Sequence, residues 1–183
     1  MKRVALTGGI ACGKSLAARY LNELGIETID ADDIAHELIP DPEERRRIAA
    51  EVFADPEKRR ALEARIHPLV KKRIDEFLSP STFRSTLPIR IAVVPLLFET
   101  HWDQEYDIIC SVVSKPETQI SRMMANRGYS REEAEGRMSA QFPVSEKAAR
   151  SHYVIRNDGS EQDLRVEVER FASWLKHQTI RPR

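Results

Sequence analysis

Near its beginning the chain reads Val4-Ala5-Leu6-Thr7-Gly8-Gly9-Ile10-Ala11-Cys12-Gly13-Lys14-Ser15. Apolar residues lead directly into the pattern Gly8-x-x-x-x-Gly13-Lys14-Ser15, and a helical pattern follows it, which is the context of a phosphate-binding loop. Glycines let the backbone bend around phosphate oxygens, and the next helix adds a partial positive charge at its N-terminus. Lys14 can reach the outer phosphates, and the Ser15 hydroxyl can bind Mg²⁺. The stretch therefore predicts nucleotide binding.

The rest of the chain alternates strands with helices. Apolar residues recur at helical spacing up to Leu24, and Gly25 is predicted to end this first helix. A second strand is predicted at 27–29, and later strands at 89–94, 107–113 and 153–155, with helices at 116–126, 131–142 and 161–177. This alternation predicts an α/β fold of three layers, α/β/α, around a parallel sheet. Ligands of such sheets bind beyond the carboxyl ends of the strands.

Residues 34–78 break this alternation with a helical and heavily charged pattern. Four prolines interrupt it, at Pro40, Pro42, Pro56 and Pro68. We expect several short helices here, forming an appendage to the sheet, and a polar loop at 79–86.

Length and composition limit the function. The 183 residues suffice for one domain with a sizeable core, and 29 basic residues balance 29 acidic ones. A neutral chain argues against a nucleic-acid partner, which favours a strongly basic face. The loop begins too early for a signal peptide and no long apolar run follows, so we expect no membrane association and a cytoplasmic protein. The two cysteines predict no disulfide framework, and the histidines show no zinc-ligand spacing.

The absence of other motifs reduces the number of reaction classes that the chain could catalyse. The chain has no Asn-Lys-x-Asp guanine reader, as a GTP-dependent switch requires, and Pro95 follows the apolar run where a motor ATPase usually has adjacent acids. A small-molecule kinase remains. It needs a carboxylate near the acceptor hydroxyl, arginines around the migrating phosphoryl group and a pocket that excludes water.

Candidates for these parts are present. Asp30 and Asp32 follow the second strand, where either could serve as the acid or cap the next helix. Four arginines are candidates for the charge-neutralising role, namely Arg122, Arg127, Arg131 and Arg137. Arg127 precedes Gly128 in a loop suited to a mobile lid, whereas Arg131 is expected to lie on a solvated helix face.

These residues, in this order, resemble the dephospho-CoA kinase family. The resemblance rests on the loop Gly8-Gly9-Ile10 with Cys12-Gly13-Lys14-Ser15, then Ile29-Asp30-Ala31-Asp32, His36-Glu37-Leu38, Val52-Phe53, Leu62-Glu63, His67-Pro68-Leu69-Val70, Val94-Pro95-Leu96-Leu97-Phe98-Glu99, Arg137-Met138-Ser139-Ala140-Gln141, Tyr153-Val154-Ile155 and Asn157-Asp158-Gly159. It extends from residue 1 to about residue 170. It implies a P-loop kinase with a nucleotide-binding core, a helical acceptor subdomain at 33–86 and a lid region at 120–150.

The resemblance also implies the substrates and the site. ATP would donate its γ-phosphoryl group, with Mg²⁺, to the ribose 3′-hydroxyl of dephospho-CoA in the last step of coenzyme A synthesis. The implied catalytic residues are Lys14, Asp32, Arg127 and Arg137. The implied ATP-binding residues are Thr7, Gly8, Gly9, Ile10, Ala11, Cys12, Gly13, Lys14, Ser15, Leu16, Asn157, Asp158 and Gly159. The acceptor would border Asp32, His67, Pro68, Glu99 and Gln141, and the chain would act as a monomer or weak homo-oligomer.

Two departures from the family pattern stand out. Arg127, with Asn126 before it, lies one position from the commoner register of the lid arginine, and the segment between Leu38 and Arg45 is shorter than usual. The alternatives are another nucleoside or nucleotide kinase of this fold and, less favoured, a non-catalytic ATP-binding regulator. The regulator would tolerate loss of Asp32 and the lid arginines, which this chain keeps.

Overall fold

The computed structural model describes residues 2–79 and 89–180, which form two compact units, residues 2–28 with 89–180 and residues 29–79. Within the described residues the strands are β1 (Val4–Gly8), β2 (Glu27–Asp30), β3 (Arg90–Val93), β4 (Ile108–Val113) and β5 (Tyr153–Arg156). The α-helices there are α1 (Lys14–Glu23), α2 (Ala31–Leu38), α3 (Pro42–Ala54), α4 (Pro56–Leu78), α5 (Pro116–Arg127), α6 (Arg131–Ser139), α7 (Val144–Ala149) and α8 (Glu161–Ile180).

The strands form one five-stranded sheet in the order β2-β3-β1-β4-β5. The pairings of β1 with β3, of β1 with β4 and of β4 with β5 are parallel, as the alternation of strands and helices predicts. Because β1 lies in the centre, the loop that follows it emerges at the carboxyl edge between β3 and β4. The fold class is confirmed.

Side-chain alternation along the strands places helices on both faces of the sheet. Leu6 and Cys110 point into a core that includes Leu21 of α1 and Phe171 of α8. On the other face the Ser111 hydroxyl lies 2.6 Å from the Ser151 hydroxyl, just after α7, and α7 contacts β1 and β4. The first unit therefore has the expected three layers, α/β/α.

The second unit contains α2, α3 and α4, and α4 differs from the expected short helices. Pro42 and Pro56 each occupy the first turn of a helix, where a missing N–H costs little. Pro68, however, lies inside the 23-residue helix α4, so the break expected there is wrong. One backbone hydrogen bond is lost at Pro68. The turns beyond it bury Val70 and Ile74 at helical spacing, which stabilises their continuation. Residues 80–86 of the expected polar loop and acceptor subdomain lie outside the described residues.

A second difference concerns the helix expected at 131–142. Helix α6 ends at Ser139, and a separate helix, α7, starts at Val144. Pro143 between them disfavours helical conformation at the residue before it, which favours a break between the two helices. Elsewhere the predicted elements are confirmed to within a few residues, including the end of α1, where Gly25 has a φ of 78°. None of the helices in residues 2–79 and 89–180 is long and apolar enough to cross a membrane.

The start of α6 carries a capping box. The Ser130 hydroxyl accepts the backbone N–H of Glu133 at 3.1 Å, and the Glu133 carboxylate accepts that of Ser130 at 2.7 Å. Both bonds satisfy N–H groups that the first turn of a helix leaves without partners.

Replacing Ser130 by alanine is expected to lower the free energy of unfolding by about 1 kcal/mol, because one of these bonds is lost. Urea denaturation followed by circular dichroism measures the change. Ser121→Ala is the matched control, since Ser121 is an exposed residue inside α5. Equal stability of the two variants would show that the cap contributes nothing.

Candidate active site

The phosphate loop joins β1 to α1, and two of its glycines are required by geometry. At Gly8 the backbone φ is 145°, and an added Cβ would lie 2.1 Å from the backbone oxygen of Val112 on the neighbouring strand. At Gly13, which caps α1, φ is 93° and a Cβ would lie 2.3 Å from the side-chain nitrogen of Asn157. Only glycine combines these conformations with such close neighbours. These close contacts explain why the motif has glycine at Gly8 and at Gly13.

The carbonyl groups of the loop accept hydrogen bonds from surrounding side chains. Lys14 Nζ donates to the oxygens of Gly8 and Gly9 at 3.2 and 2.8 Å. Asn157 Nδ2 donates to the oxygen of Cys12 at 2.9 Å. Gln119 Nε2 donates to the oxygen of Ile10 at 2.7 Å. Because these bonds fix the orientation of successive peptides, the loop already has a defined shape in this structure.

The N-terminus of α1 faces a cavity of about 460 Å³. Seven residues predicted to bind ATP line it, namely Ala11, Gly13, Lys14, Ser15, Leu16, Asn157 and Gly159. Arg122 and Arg127 add positive charge to its wall, and Asn126 and Glu161 complete it. Gly13 supplies no side-chain cap, so the helix end carries the partial positive charge that attracts phosphate. The cavity brings together the two segments that the sequence assigned to the nucleotide.

Ser15 fits the predicted role of a magnesium ligand. It is exposed on the first turn of α1 and lines the same cavity as Lys14. Among residues 2–79 and 89–180, no group of three or more His, Cys, Asp or Glu side chains could hold a metal.

Two predicted ATP-binding residues, Thr7 and Cys12, are fully buried. The Thr7 hydroxyl donates to the carbonyl oxygen of Pro95 at 3.3 Å. Burial raises the pKa of the Cys12 thiol, with a smaller opposing effect of the Lys14 charge. A thiol that stays protonated packs as a small apolar residue, so a reactive cysteine is not favoured.

Asn157, the first residue of the segment 157–159, supports the phosphate loop directly. Asn157 is buried, and its Oδ1 accepts a hydrogen bond from Arg122 at 3.3 Å while its Nδ2 binds Cys12. The Asp158 carboxylate accepts the backbone N–H of Lys115 at 2.6 Å. Contact of this segment with adenine stays a prediction.

The four candidate arginines have different surroundings. Arg122 is half-buried and Arg127 is exposed at the end of α5, and both line the cavity at the N-terminus of α1. Arg137 lies on α6, 4.3 Å from the centre of the Tyr129 ring, and is not part of the cavity wall. Arg131 pairs with Glu117 at 2.8 Å and is half exposed, as expected for a surface residue. That ion pair lowers the pKa of Glu117.

Glu99 and Gln141 lie close to each other and to the loop. Gln141 Oε1 accepts the backbone N–H of Ile10 at 3.1 Å. Glu99 Oε1 accepts the backbone N–H of Phe142 at 3.0 Å and pairs with Lys147 Nζ at 2.7 Å. Lys147 is fully buried. The sequence did not single out Lys147 or Gln119, because an isolated lysine or glutamine in a helical pattern carries no motif.

A second cavity, of about 420 Å³, lies beside this group. Four residues predicted for the site line it, namely Gly9, Ile10, Gln141 and Asp158.

The remaining predicted residues belong to the second unit. Asp30 caps α2, with Oδ1 accepting the backbone N–H of Asp32 at 2.9 Å. The prediction that one of these two acids caps the helix is confirmed. Asp32 is exposed in the first turn, and its carboxylate is not the one that caps the helix. His67 is half-buried and Pro68 exposed, both inside α4.

Comparison with known proteins places these features in a family. The family model described as dephospho-CoA kinase matches residues 2–44 and 41–163. The two matched segments meet in the shortened stretch after Leu38. The dephospho-CoA kinase of Geobacter sulfurreducens is 36% identical over 197 residues, which cover 96% of this chain and 98% of that protein.

Solved structures agree with this result. A crystal structure of a Thermus thermophilus protein is 34% identical, has a TM-score of 0.80 and covers 95% of this chain and 97% of that one. The dephospho-CoA kinase of Campylobacter jejuni, at 23% identity, has a TM-score of 0.69 and covers 97% of this chain and 98% of that one. At 23% identity, the similarity to the Campylobacter jejuni structure supports the assignment of the fold.

Proposed function

The chain belongs to the dephospho-CoA kinase family, and from this premise we propose that it transfers the γ-phosphoryl group of ATP to the ribose 3′-hydroxyl of dephospho-CoA. The products are ADP and coenzyme A, so the reaction is the last step of coenzyme A synthesis. The observation that carries the proposal is the nucleotide cavity, which combines the glycine-shaped loop, Lys14, Ser15 and two arginines at the open N-terminus of α1.

In this proposal, the main role of the first unit is to neutralise the negative charge of the phosphate groups. Lys14 and Arg127 line the cavity and can compensate charge on the transferred group, and we assign Arg137 the same role from the lid region at 120–150. Ser15 is the residue proposed to hold Mg²⁺, which would neutralise phosphate charge when bound. Asn157, Asp158 and Gly159 are the proposed neighbours of adenine.

The second unit supplies the acceptor side in this proposal, as the helical subdomain at 33–86. The acceptor oxygen attacks the γ-phosphorus, the bond to the β-phosphate oxygen breaks, and the hydroxyl proton passes to the carboxylate of Asp32. His67 and Pro68 in α4 are proposed to border the acceptor, together with Glu99. A cytoplasmic location and a monomeric or weakly associating chain stay predictions.

An ADP-release assay with Mg²⁺ and ATP tests the reaction. Dephospho-CoA, adenosine and AMP are compared as acceptors, with a reaction lacking acceptor as the control. We expect turnover with dephospho-CoA at least a hundredfold above the other conditions, because specific contacts to a substrate's polar groups commonly give discrimination of roughly this size or more. Turnover only with adenosine or AMP would indicate a different kinase of this fold. ATP binding without acceptor-dependent turnover would indicate a regulator.

A further inference from the structure

Ile10 of the phosphate loop has both of its backbone polar groups bound by glutamine side chains. Gln119 Nε2 donates to the carbonyl oxygen of Ile10 at 2.7 Å, and Gln141 Oε1 accepts the N–H of Ile10 at 3.1 Å. The two glutamines lie 109 and 131 residues beyond Ile10 in the chain. The contacts have opposite polarity, because Gln119 must present its amide nitrogen and Gln141 its amide oxygen.

The glutamines are themselves immobilised. Gln119 lies in α5 and only 1% of its surface is exposed. Gln141 precedes Phe142, whose N–H is bound by Glu99, and Glu99 pairs with the buried Lys147. Lys147 Nζ also donates to the carbonyl oxygen of Pro95 at 2.9 Å. The segment carrying Gln141 is thus tied to the loop that follows β3.

Packing around Ile10 also limits the conformations that this part of the loop can adopt. The Ile10 side chain packs against a small cluster that includes Ile120 and Met123 of α5. At Gly9 an added Cβ would lie 2.7 Å from Gln119 Nε2 and 2.6 Å from a methyl carbon of Val144. Ile10 is therefore fixed by hydrogen bonds at its backbone N–H and at its carbonyl oxygen, and by contacts of its side chain.

We propose that Gln119 and Gln141 are positioning residues of the phosphate loop. By fixing the two peptide groups on either side of Ile10 they hold the loop in its phosphate-binding shape before a nucleotide arrives, so no binding energy is used to order it. In this role Gln141 acts on the nucleotide side of the reaction and not on the acceptor. The inference rests on the proposed function only for the identity of the nucleotide and the acceptor.

The first test removes each hydrogen bond while keeping side-chain length, with Gln119→Met and Gln141→Met. Gln162→Met, an exposed position in α8, is the control. We expect the dissociation constant of ADP, measured by calorimetry without acceptor, to rise roughly fivefold to tenfold in the first two variants, the effect of losing one such bond. The KM for ATP should rise in parallel and the KM for dephospho-CoA should stay unchanged. A rise in the KM for dephospho-CoA alone in Gln141→Met would overturn the assignment.

The second test uses the opposite polarity of the two contacts. Gln141→Glu keeps an oxygen facing the Ile10 N–H, whereas Gln119→Glu places an oxygen against the Ile10 carbonyl. Both variants add a carboxylate next to Ile10, and Gln119 is the more buried of the two residues, so burial and hydrogen-bond polarity both make Gln119→Glu the more damaging change. ADP binding should weaken more in Gln119→Glu than in Gln141→Glu, and equal or reversed losses would contradict the proposal.

Amide hydrogen exchange separates positioning from general unfolding. Exchange at Ile10 should accelerate at least fivefold in Gln141→Met, while exchange at Leu164 in the core of α8 stays unchanged. Acceleration at both sites would overturn the positioning role. If the wild-type protein binds ADP but does not phosphorylate dephospho-CoA, the proposed function fails alone. If it phosphorylates dephospho-CoA and both methionine variants bind ADP normally, the positioning role fails alone.

Discussion

Replacing Lys14 by alanine is expected to reduce phosphoryl transfer at least a thousandfold, to the background of the assay. Lys14 lines the cavity at the N-terminus of α1, and it is the only lysine among the lining residues in the part of the chain described. Removing one preorganised charge from a developing transition state commonly costs roughly a hundredfold to a thousandfold or more. The structure adds a second loss, because Lys14 also donates to the carbonyl oxygens of Gly8 and Gly9.

The measurement is kcat and KM for ATP at saturating dephospho-CoA. Lys14→Met serves as a second variant, since it keeps the length of the side chain and removes only the charge and its hydrogen bonds. Lys176→Ala, on α8, controls for loss of a lysine elsewhere. Activity of Lys14→Ala within tenfold of the wild type would remove Lys14 from the catalytic machinery.

Replacing Asp32 by asparagine is expected to lower kcat roughly a hundredfold to ten-thousandfold with little change in the KM for ATP. The substitution leaves the cap of α2 in place, because Asp30 and not Asp32 caps this helix. The Asp32 carboxylate is exposed, so its neutralisation should leave the free energy of unfolding nearly unchanged.

Two neighbouring acids provide matched controls. Asp33→Asn removes an exposed carboxylate from the same first turn and should retain activity. Asp30→Asn exchanges one good capping residue for another and should retain stability. If Asp32→Asn and Asp33→Asn have the same kcat, Asp32 is not the base.

Local patterns in the sequence were sufficient for most elements of the fold. The glycine spacing, the apolar strands and the signals at helix ends each depend on neighbouring residues, so the phosphate loop and the end of α1 at Gly25 could be predicted. Pro68 and the separate helix α7 show the limit of this reasoning. Proline disfavours helix in general, but packing along the rest of a helix decides whether the chain continues through it.

The candidate site likewise has features that the sequence predicts and features that depend on tertiary packing. The sequence by itself determined the phosphate loop, its lysine and serine, the family and therefore the reaction that we propose. Only the tertiary structure decided what surrounds the loop, namely that Gln119, Gln141 and Asn157 hold its peptides and that a buried Lys147 pairs with Glu99. Each of these contacts joins residues more than forty positions apart. Helical or strand periodicity indicates which side of an element is buried, but not which distant residue it meets, because that depends on how the elements pack.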